Sequence, residues 1–354
     1  MKDALASLPT RDDQRAAFLA RAGFAGTLLV ALPADASTRR YFRLDGAGLL
    51  LMDSPPDSEP IGPFVRIARQ LQGLGLSAPA LLDVDEAAGL ALIEDFGHDT
   101  YTRLLLAGHS ESALYHLAVD TLVALHCATP ATELAPYDEQ RLAAEYALFI
   151  DWYVPLLIGK EAAHNLRDEY LTLFADACRD VAKRREALVL RDFHVDNLML
   201  LQGREVAACG LLDFQDALVG AAAYDLMSLL EDARRDVPEA LRKALISHYL
   251  LQRPELDASG FLEDYRRLAA QRHAKVLGIF VRLAGRDGKH GYLAHLPRTL
   301  SLFVRALDAE AFAPLRQWLD RHVPGWREEL PAQTLATLRE TPYRLVQGSS
   351  HGHV

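Results

Sequence analysis

Two polar clusters set into apolar runs constrain this chain more than any other feature. The first is Leu190-Arg191-Asp192-Phe193-His194-Val195-Asp196-Asn197-Leu198-Met199-Leu200, and the second is Leu211-Leu212-Asp213-Phe214-Gln215-Asp216. Carboxylates placed between aliphatic residues are costly to bury unless they have partners. The clusters therefore read as two loops held at the ends of strands, with the strands packed inside.

The spacing of the polar residues carries a second message. Asp192 and Asn197 lie five residues apart, and Asp213 follows sixteen residues after Asn197. A base, then a metal-binding amide, then a metal-binding carboxylate is the order of a phosphoryl-transfer site. In that reading Asp192 accepts the proton of an acceptor hydroxyl. Asn197 and Asp213 hold Mg²⁺, which takes hard oxygen ligands. A lone Asp more often caps a turn, but a spaced set of three, each beside an apolar strand, favours the site.

At 354 residues the chain is long enough for two domains or lobes. Its 38 Lys and Arg against 48 Asp and Glu leave a formal charge of −10. An acidic chain is a poor generic binder of nucleic acid or membrane surfaces, which are themselves negative. No stretch approaches the roughly 20 unbroken apolar residues of a membrane span, and Met1 to Arg15 has no apolar core resembling a signal peptide. The three cysteines, Cys127, Cys178 and Cys209, suggest neither a disulfide framework nor a zinc pattern. A reduced cytoplasm is the expected compartment.

Periodicity predicts a helix over 11–22, strands over 27–32, 39–44 and 49–52, a helix over 64–71, and strands over 80–84 and 90–93. From Glu94-Asp95-Phe96-Gly97 onward the pattern turns helical. Helices are expected over 113–126, 138–153, 162–184, 223–231, 238–251, 260–285, 297–308, 315–322 and 330–340. The expected organisation is an α+β fold, with a strand-rich lobe over 1–96, a helical lobe over 97–346 and a frayed tail over 347–354.

Asp192-x-x-x-x-Asn197 followed by Asp213-Phe214-x-Asp216 resembles the catalytic and metal loops of the aminoglycoside phosphotransferase and choline kinase superfamily, a branch of the protein-kinase-like fold. Leu125-His126 and Gly220-Ala221-Ala222-Ala223-Tyr224-Asp225-Leu226 are similar to that family's helix ending and its Gly-x-x-x-Tyr-Asp-Leu segment. The wording is most similar to the bacterial anomeric kinases of N-acetylmuramate and N-acetylglucosamine. The pieces that carry this are Ala36 to Arg43, Leu51 to Pro56, Leu148 to Tyr153, Phe214 to Ala217, Lys275 to Leu283 and Arg286 to Lys289.

The resemblance implies a two-lobed fold, ATP with Mg²⁺, and transfer to the anomeric hydroxyl of an amino sugar in cell-wall sugar recycling. It implies that Ser37 and Thr38 sit in the phosphate loop, and that Glu94, Asp95 and Phe96 form the hinge beside adenine. It also brings Glu145, Trp152 and Tyr153 near the acceptor, where an aromatic can stack on a sugar and a carboxylate can bind hydroxyls, aromatic residues filling the core being an alternative of at least equal weight. His194 and Asp216 are further candidates for substrate contact, solvated loop positions being the plain alternative. Asp196 reads as a cap and Asp225 as a brace for the catalytic loop. Of the basic residues Lys275, Arg282, Arg286 and Lys289, one could meet the carboxylate of N-acetylmuramate.

Three departures from the family pattern stand out. Leu190 replaces the usual His of the catalytic loop. Met52 stands where many relatives place a phosphate-pairing lysine, and 64–71 contains no acidic residue to pair with one. Strand alternation puts Arg39, Tyr41 and Arg43 on one face and Arg40 and Phe42 on the other. Arg40 or Arg43 is expected to supply the missing positive charge. The alternative functions are a phosphotransferase acting on an aminoglycoside, choline or another metabolite, and a nucleotide-binding pseudokinase scaffold.

Overall fold

Short apolar runs separated by Gly-containing turns give the first part of the chain a sheet with two unlike faces. In the computed structural model, which describes residues 10–33, 38–128 and 133–340, α1 (Arg11–Arg21) leads into β1 (Leu29–Ala31), β2 (Arg40–Leu44) and β3 (Leu49–Asp53). Then come α2 (Gly62–Gly73), β4 (Leu81–Asp85), β5 (Leu90–Glu94), α3 (Tyr101–Leu106) and α4 (Glu111–Cys127). Next are α5 (Glu139–Leu148), a π-helical turn (Phe149–Tyr153), α6 (Pro155–Ile158) and α7 (Lys160–Cys178). Four short strands follow: β6 (Ala187–Val189), β7 (Leu198–Leu200), β8 (Cys209–Leu211) and β9 (Leu218–Gly220). The remainder is helical, with α8 (Ala223–Leu230), α9 (Glu239–Gln252), α10 (Ala258–Asp287), α11 (Leu296–Ala306), α12 (Ala313–His322) and α13 (Ala332–Glu340). This is the α+β composition expected from the sequence. No helix among the described residues is long and apolar enough to cross a membrane.

Residue contacts divide the chain into two compact units, Met1–Leu125 with Val195–Ala217, and His126–His194 with Leu218–Val354. The expected hinge, Glu94 to Phe96, lies within the first.

The first unit is built on an antiparallel sheet in the order β1-β2-β3-β5-β4. Thr10 starts α1 with a capping box, in which two otherwise unpaired groups satisfy each other. Phe18 and Leu19 of α1 pack on Leu44, Leu49, Leu51, Leu90 and Leu92, with Phe42 beside them. Each buried side chain of this size contributes about 1.5–3 kcal/mol. At the edge of the same face Asp53 accepts from Arg11 Nε at 2.8 Å and Arg15 Nη1 at 2.7 Å, which ties the helix to β3. The register pairs Arg40 with Asp53 and Tyr41 with Met52. Arg40 therefore shares the α1 face, while Tyr41 and Met52 share the opposite one.

In the second unit α10 is the long axis, packed by α5, α8 and α11. Asp257 caps its start, and Gly288, at φ +68°, ends it in the left-handed conformation that suits glycine. The sequence predicted one helix over 138–153, but the α-helix stops at Leu148 and continues as a π-helical turn. Gly278 of α10 explains part of this: a Cβ there would overlap the Leu148 carbonyl. The two helices touch backbone to backbone where the winding changes. The helix predicted over 162–184 likewise stops at Cys178, and α3 was not anticipated, being only six residues long.

Candidate active site

The first polar cluster leaves β6 as a tight turn in the second unit. Arg191 there has φ +72°, an uncommon conformation for a residue with a side chain. Asp225, in the first turn of α8 and fully buried, holds that turn. Its carboxylate accepts from the backbone N–H of Leu190 at 2.6 Å and of Arg191 at 2.9 Å. Asp225 thus braces the loop through backbone, as its resemblance implied. His126 stands behind it, with Nε2 3.9 Å from Asp225 and Nδ1 2.8 Å from the Tyr249 hydroxyl.

Asp192 follows this brace. Arg272 reaches it with Nη2 at 3.5 Å from Oδ1, and donates from Nη1 to the Arg191 carbonyl at 2.8 Å. Burial alone would raise the Asp192 pKa. The positive charges of Lys275 and Arg272, with smaller help from Arg191, outweigh it and hold the carboxyl well below the usual range. Asp192 is therefore a carboxylate at neutral pH. His194 is itself buried; burial lowers its pKa, so the ring is neutral there.

Behind Asp192 lies a buried carboxylate, Glu145. It accepts from Lys275 Nζ at 2.9 Å, Gln271 Nε2 at 2.7 Å, the Tyr137 hydroxyl and Arg191 Nη2. Burial would raise its pKa, but Lys275 and Arg191 bring it down to about 2. Four donors fill the two oxygens that the sequence reading assigned to acceptor hydroxyls. Glu145 instead fixes the cations that set the charge on Asp192. The expected aromatic contacts are interior as well: Tyr153 is 1 % exposed and stacks on Phe149 with centroids 5.2 Å apart, and Trp152 is buried.

The metal-ligand candidates lie in the first unit. The β7–β8 hairpin pairs Leu198 with Leu211, and the Leu212 N–H donates to the Asn197 carbonyl at 3.0 Å. This register closes the sequence gap between Asn197 and Asp213. Asn197 Nδ2 lies 3.4 Å from Asp213 Oδ2, and Gln215 Nε2 donates to Oδ1 at 2.8 Å. Asp213 has φ +56°, and Phe214 stacks on Phe64 of α2 at 5.1 Å, which anchors the turn. An amide and a carboxylate in direct contact at the turn, Asn197 half-buried and Asp213 exposed, offer hard oxygen donors to one ion, since the amide oxygen and nitrogen exchange by a flip. This pair fits Mg²⁺. Asp216 is exposed at the end of the turn, and Asp196 instead accepts from the Thr102 hydroxyl of α3.

Around the expected hinge, Asp95 is bound by Arg43 and accepts from the Gly97 N–H at 2.8 Å. Arg43 also meets His98 Nε2 at 2.7 Å and the Gly97 carbonyl at 3.3 Å. Glu94 accepts from the Ala80 N–H at 3.2 Å. Phe96 packs on Gly210 of β8, where a Cβ would come within 2.9 Å of the ring. Thr38 Oγ1 lies 3.0 Å from Ser58 Oγ, and Ser37 lies outside the described residues. The two arginines expected near phosphate are thus placed apart: Arg40 is exposed on the α1 face, and Arg43 serves the 95–98 turn. Sequence reasoning missed Arg272 and Gln271. Their signal was present, since Lys275 falls four residues after Gln271 and three after Arg272, which puts it on one side of α10 with each of them.

Residues 29–270 match the phosphotransferase enzyme family. The chain belongs to that family. An N-acetylmuramate/N-acetylglucosamine kinase of Caulobacter vibrioides is 36% identical, over 89% of this chain and 97% of its own length. Proteins of the same name from Pseudomonas aeruginosa and Neisseria meningitidis are 36% and 35% identical, over 79% and 80% of this chain and 82% and 86% of theirs. Among solved structures, a choline/ethanolamine kinase family protein from Mesorhizobium loti aligns with a TM-score of 0.57 at 14% identity, covering 93% of this chain and 99% of that one. An ADP-bound aminoglycoside phosphotransferase aligns at 0.53 and 16% identity, covering 83% and 98%. At such identities the likeness speaks for the kinase-like fold alone. The family is what the two loops announced, and it makes the chain a phosphotransferase.

Proposed function

We propose that this chain is an ATP- and Mg²⁺-dependent kinase of N-acetylmuramate, N-acetylglucosamine or both, acting on the anomeric hydroxyl to give the sugar 1-phosphate. It would work in the cytoplasm, where ATP is available, in the recycling of cell-wall amino sugars. The observation that carries the reading is the ionised Asp192, held on a braced loop in a chain whose relatives with that name match it along most of its length.

Phosphoryl transfer needs positioning and charge more than covalent help. Asp192 Oδ accepts a hydrogen bond from the anomeric hydroxyl and orients its oxygen toward the γ-phosphorus. As the new O–P bond forms and the bond to the β-phosphate oxygen breaks, the hydroxyl proton passes to Asp192 and ADP leaves. A carboxylate with so low a pKa is a weak base, so the proton moves late. Its larger contribution is orientation, which Arg272 and Asp225 enforce. Asn197 and Asp213 would hold Mg²⁺, which when bound spreads the charge that builds up on the phosphate oxygens. Burial keeps His194 neutral, and it remains the candidate beside Asp192 for a sugar hydroxyl.

Coupled ADP release, measured with Mg²⁺, ATP and a panel of N-acetylmuramate, N-acetylglucosamine, choline and an aminoglycoside, tests the reading. Turnover on an N-acetyl amino sugar at least tenfold above the other acceptors supports it. Turnover on choline or the aminoglycoside alone contradicts it.

A further inference from the structure

We propose that Arg39, held by Glu59, is the cation that pairs with the nucleotide phosphates, in place of the lysine that Met52 supplants. The proposal rests on the reading of the chain as an ATP-dependent kinase.

The argument begins with the sheet. Position 52 on β3 holds a methionine that is fully buried, so that position supplies no charge. The β2–β3 register sets Tyr41 directly opposite Met52. Arg39, two residues before Tyr41, falls on the same face by strand alternation. The other face is closed by the α1 core, which disposes of Arg40. Arg43 shares the Tyr41 face but is held by Asp95, His98 and the Gly97 carbonyl. Arg39, the residue just before β2, is the third cation on this stretch.

Its surroundings fit the task. Arg39 is 9 % exposed, deep for a guanidinium, and such cations are kept inside only where an anion repays the desolvation. The carboxylate beside it is Glu59, whose Oε2 accepts the Arg39 backbone N–H at 3.2 Å and lies 4.0 Å from Arg39 Nε. Ser54 Oγ stands 3.5 Å from Arg39 Nε. The Tyr41 phenol lies within electrostatic range of Arg39, Glu59 and Asp213 together. The cation thus gathers on one side of the sheet with the candidate metal carboxylate, within a single compact unit.

Glu59 also accounts for a gap in α2. That helix carries no acidic residue, so the acid that would steady a phosphate-pairing cation has to come from elsewhere. Glu59 stands three residues before the helix begins. Cation and acid have both moved by a short step, from β3 to the start of β2 and from the helix to the loop before it. A guanidinium in this position binds phosphate through two parallel N–H donors, which an ammonium cannot do.

Calorimetric titration of the full chain with Mg·ATP and, separately, with adenosine tests this without reference to any acceptor. Arg39→Met is expected to weaken ATP binding about 10- to 100-fold, the scale of a charge-assisted hydrogen bond, while adenosine binds as before. Arg39→Lys should recover part of the loss. Glu59→Gln should raise the KM for ATP several-fold with little change in kcat, and should add nothing once Arg39 is Met, as coupled sites do. Undiminished ATP binding by Arg39→Met overturns the proposal. So does an equal loss for ATP and adenosine, which marks a structural role. A wild-type chain that binds no ATP overturns the kinase reading itself, and this proposal with it.

Discussion

Asn197 and Asp213 are sixteen residues apart in sequence, yet their side chains lie 3.4 Å apart. The β7–β8 hairpin produces this contact, because its register, extended by the Leu212 N–H to Asn197 carbonyl bond, carries Asp213 two residues past the end of β8 to face Asn197. If the two share Mg²⁺, they should differ in what they supply, the carboxylate carrying charge and the amide only a dipole. Asp213→Asn is expected to raise the Mg²⁺ concentration for half-maximal turnover more than Asn197→Ala, with kcat down at least 100-fold for the first. Metal titration of initial rates checks the order, and the reverse order would contradict the assignment.

Asp192 should matter to turnover and little to nucleotide affinity. Asp192→Asn keeps the shape but removes the proton acceptor, and kcat is expected to fall about 10²- to 10⁴-fold. The KM for ATP should change less than about threefold. Circular dichroism of the variant should match the parent, which separates chemistry from folding.

Glu145 is buried under four donors, and its removal leaves Lys275 and Arg191 without their carboxylate. Glu145→Ala is expected to destabilise the chain by about 3–5 kcal/mol, read as a lowered midpoint in urea. Replacing Glu145 and Lys275 together by methionine should cost less than the sum of the single changes.

The same carboxylate predicts a pH dependence. Its pKa falls from 4.5 to about 2 on folding, and that of Asp192 is also lowered. Groups depressed in the folded state contribute stability above their unfolded pKa and lose it as pH falls through the folded value. The thermal midpoint should therefore drop as pH falls from about 5 toward about 2. In Glu145→Gln that drop should be shallower.

Gly278 marks where α10 meets the end of α5. With a Cβ overlapping the Leu148 carbonyl, Gly278→Ala forces backbone to move and should cost about 1–3 kcal/mol. Gly291→Ala, at a position with open space, is the control expected to stay within about 0.5 kcal/mol.

Much of this was legible in the chain because local rules carried it. Short apolar runs bounded by turn residues marked all five strands of the larger sheet, and the Asp192, Asn197 and Asp213 spacing marked the loops. Tertiary contacts hid the rest. Nothing local in Asp138 to Tyr153 shows that Gly278, more than a hundred residues later, lies against Leu148. Strand alternation put Arg39, Tyr41 and Arg43 on one face, but only the structure reveals that α1 covers the other. Glu145 and Tyr153 have residue types suited to sugar binding, and burial alone shows that both are spent on the interior.

The central claim is transfer of a phosphoryl group to an anomeric oxygen, and phosphorus NMR of the reaction mixture addresses it most directly. With Mg²⁺, ATP and N-acetylmuramate or N-acetylglucosamine, the wild-type chain should give a phosphomonoester signal coupled to the anomeric proton, and Asp192→Asn should give none on the same time scale. A phosphate coupled instead to the protons of the sugar's C6, or ATP consumption with no phosphorylated sugar, would contradict the account.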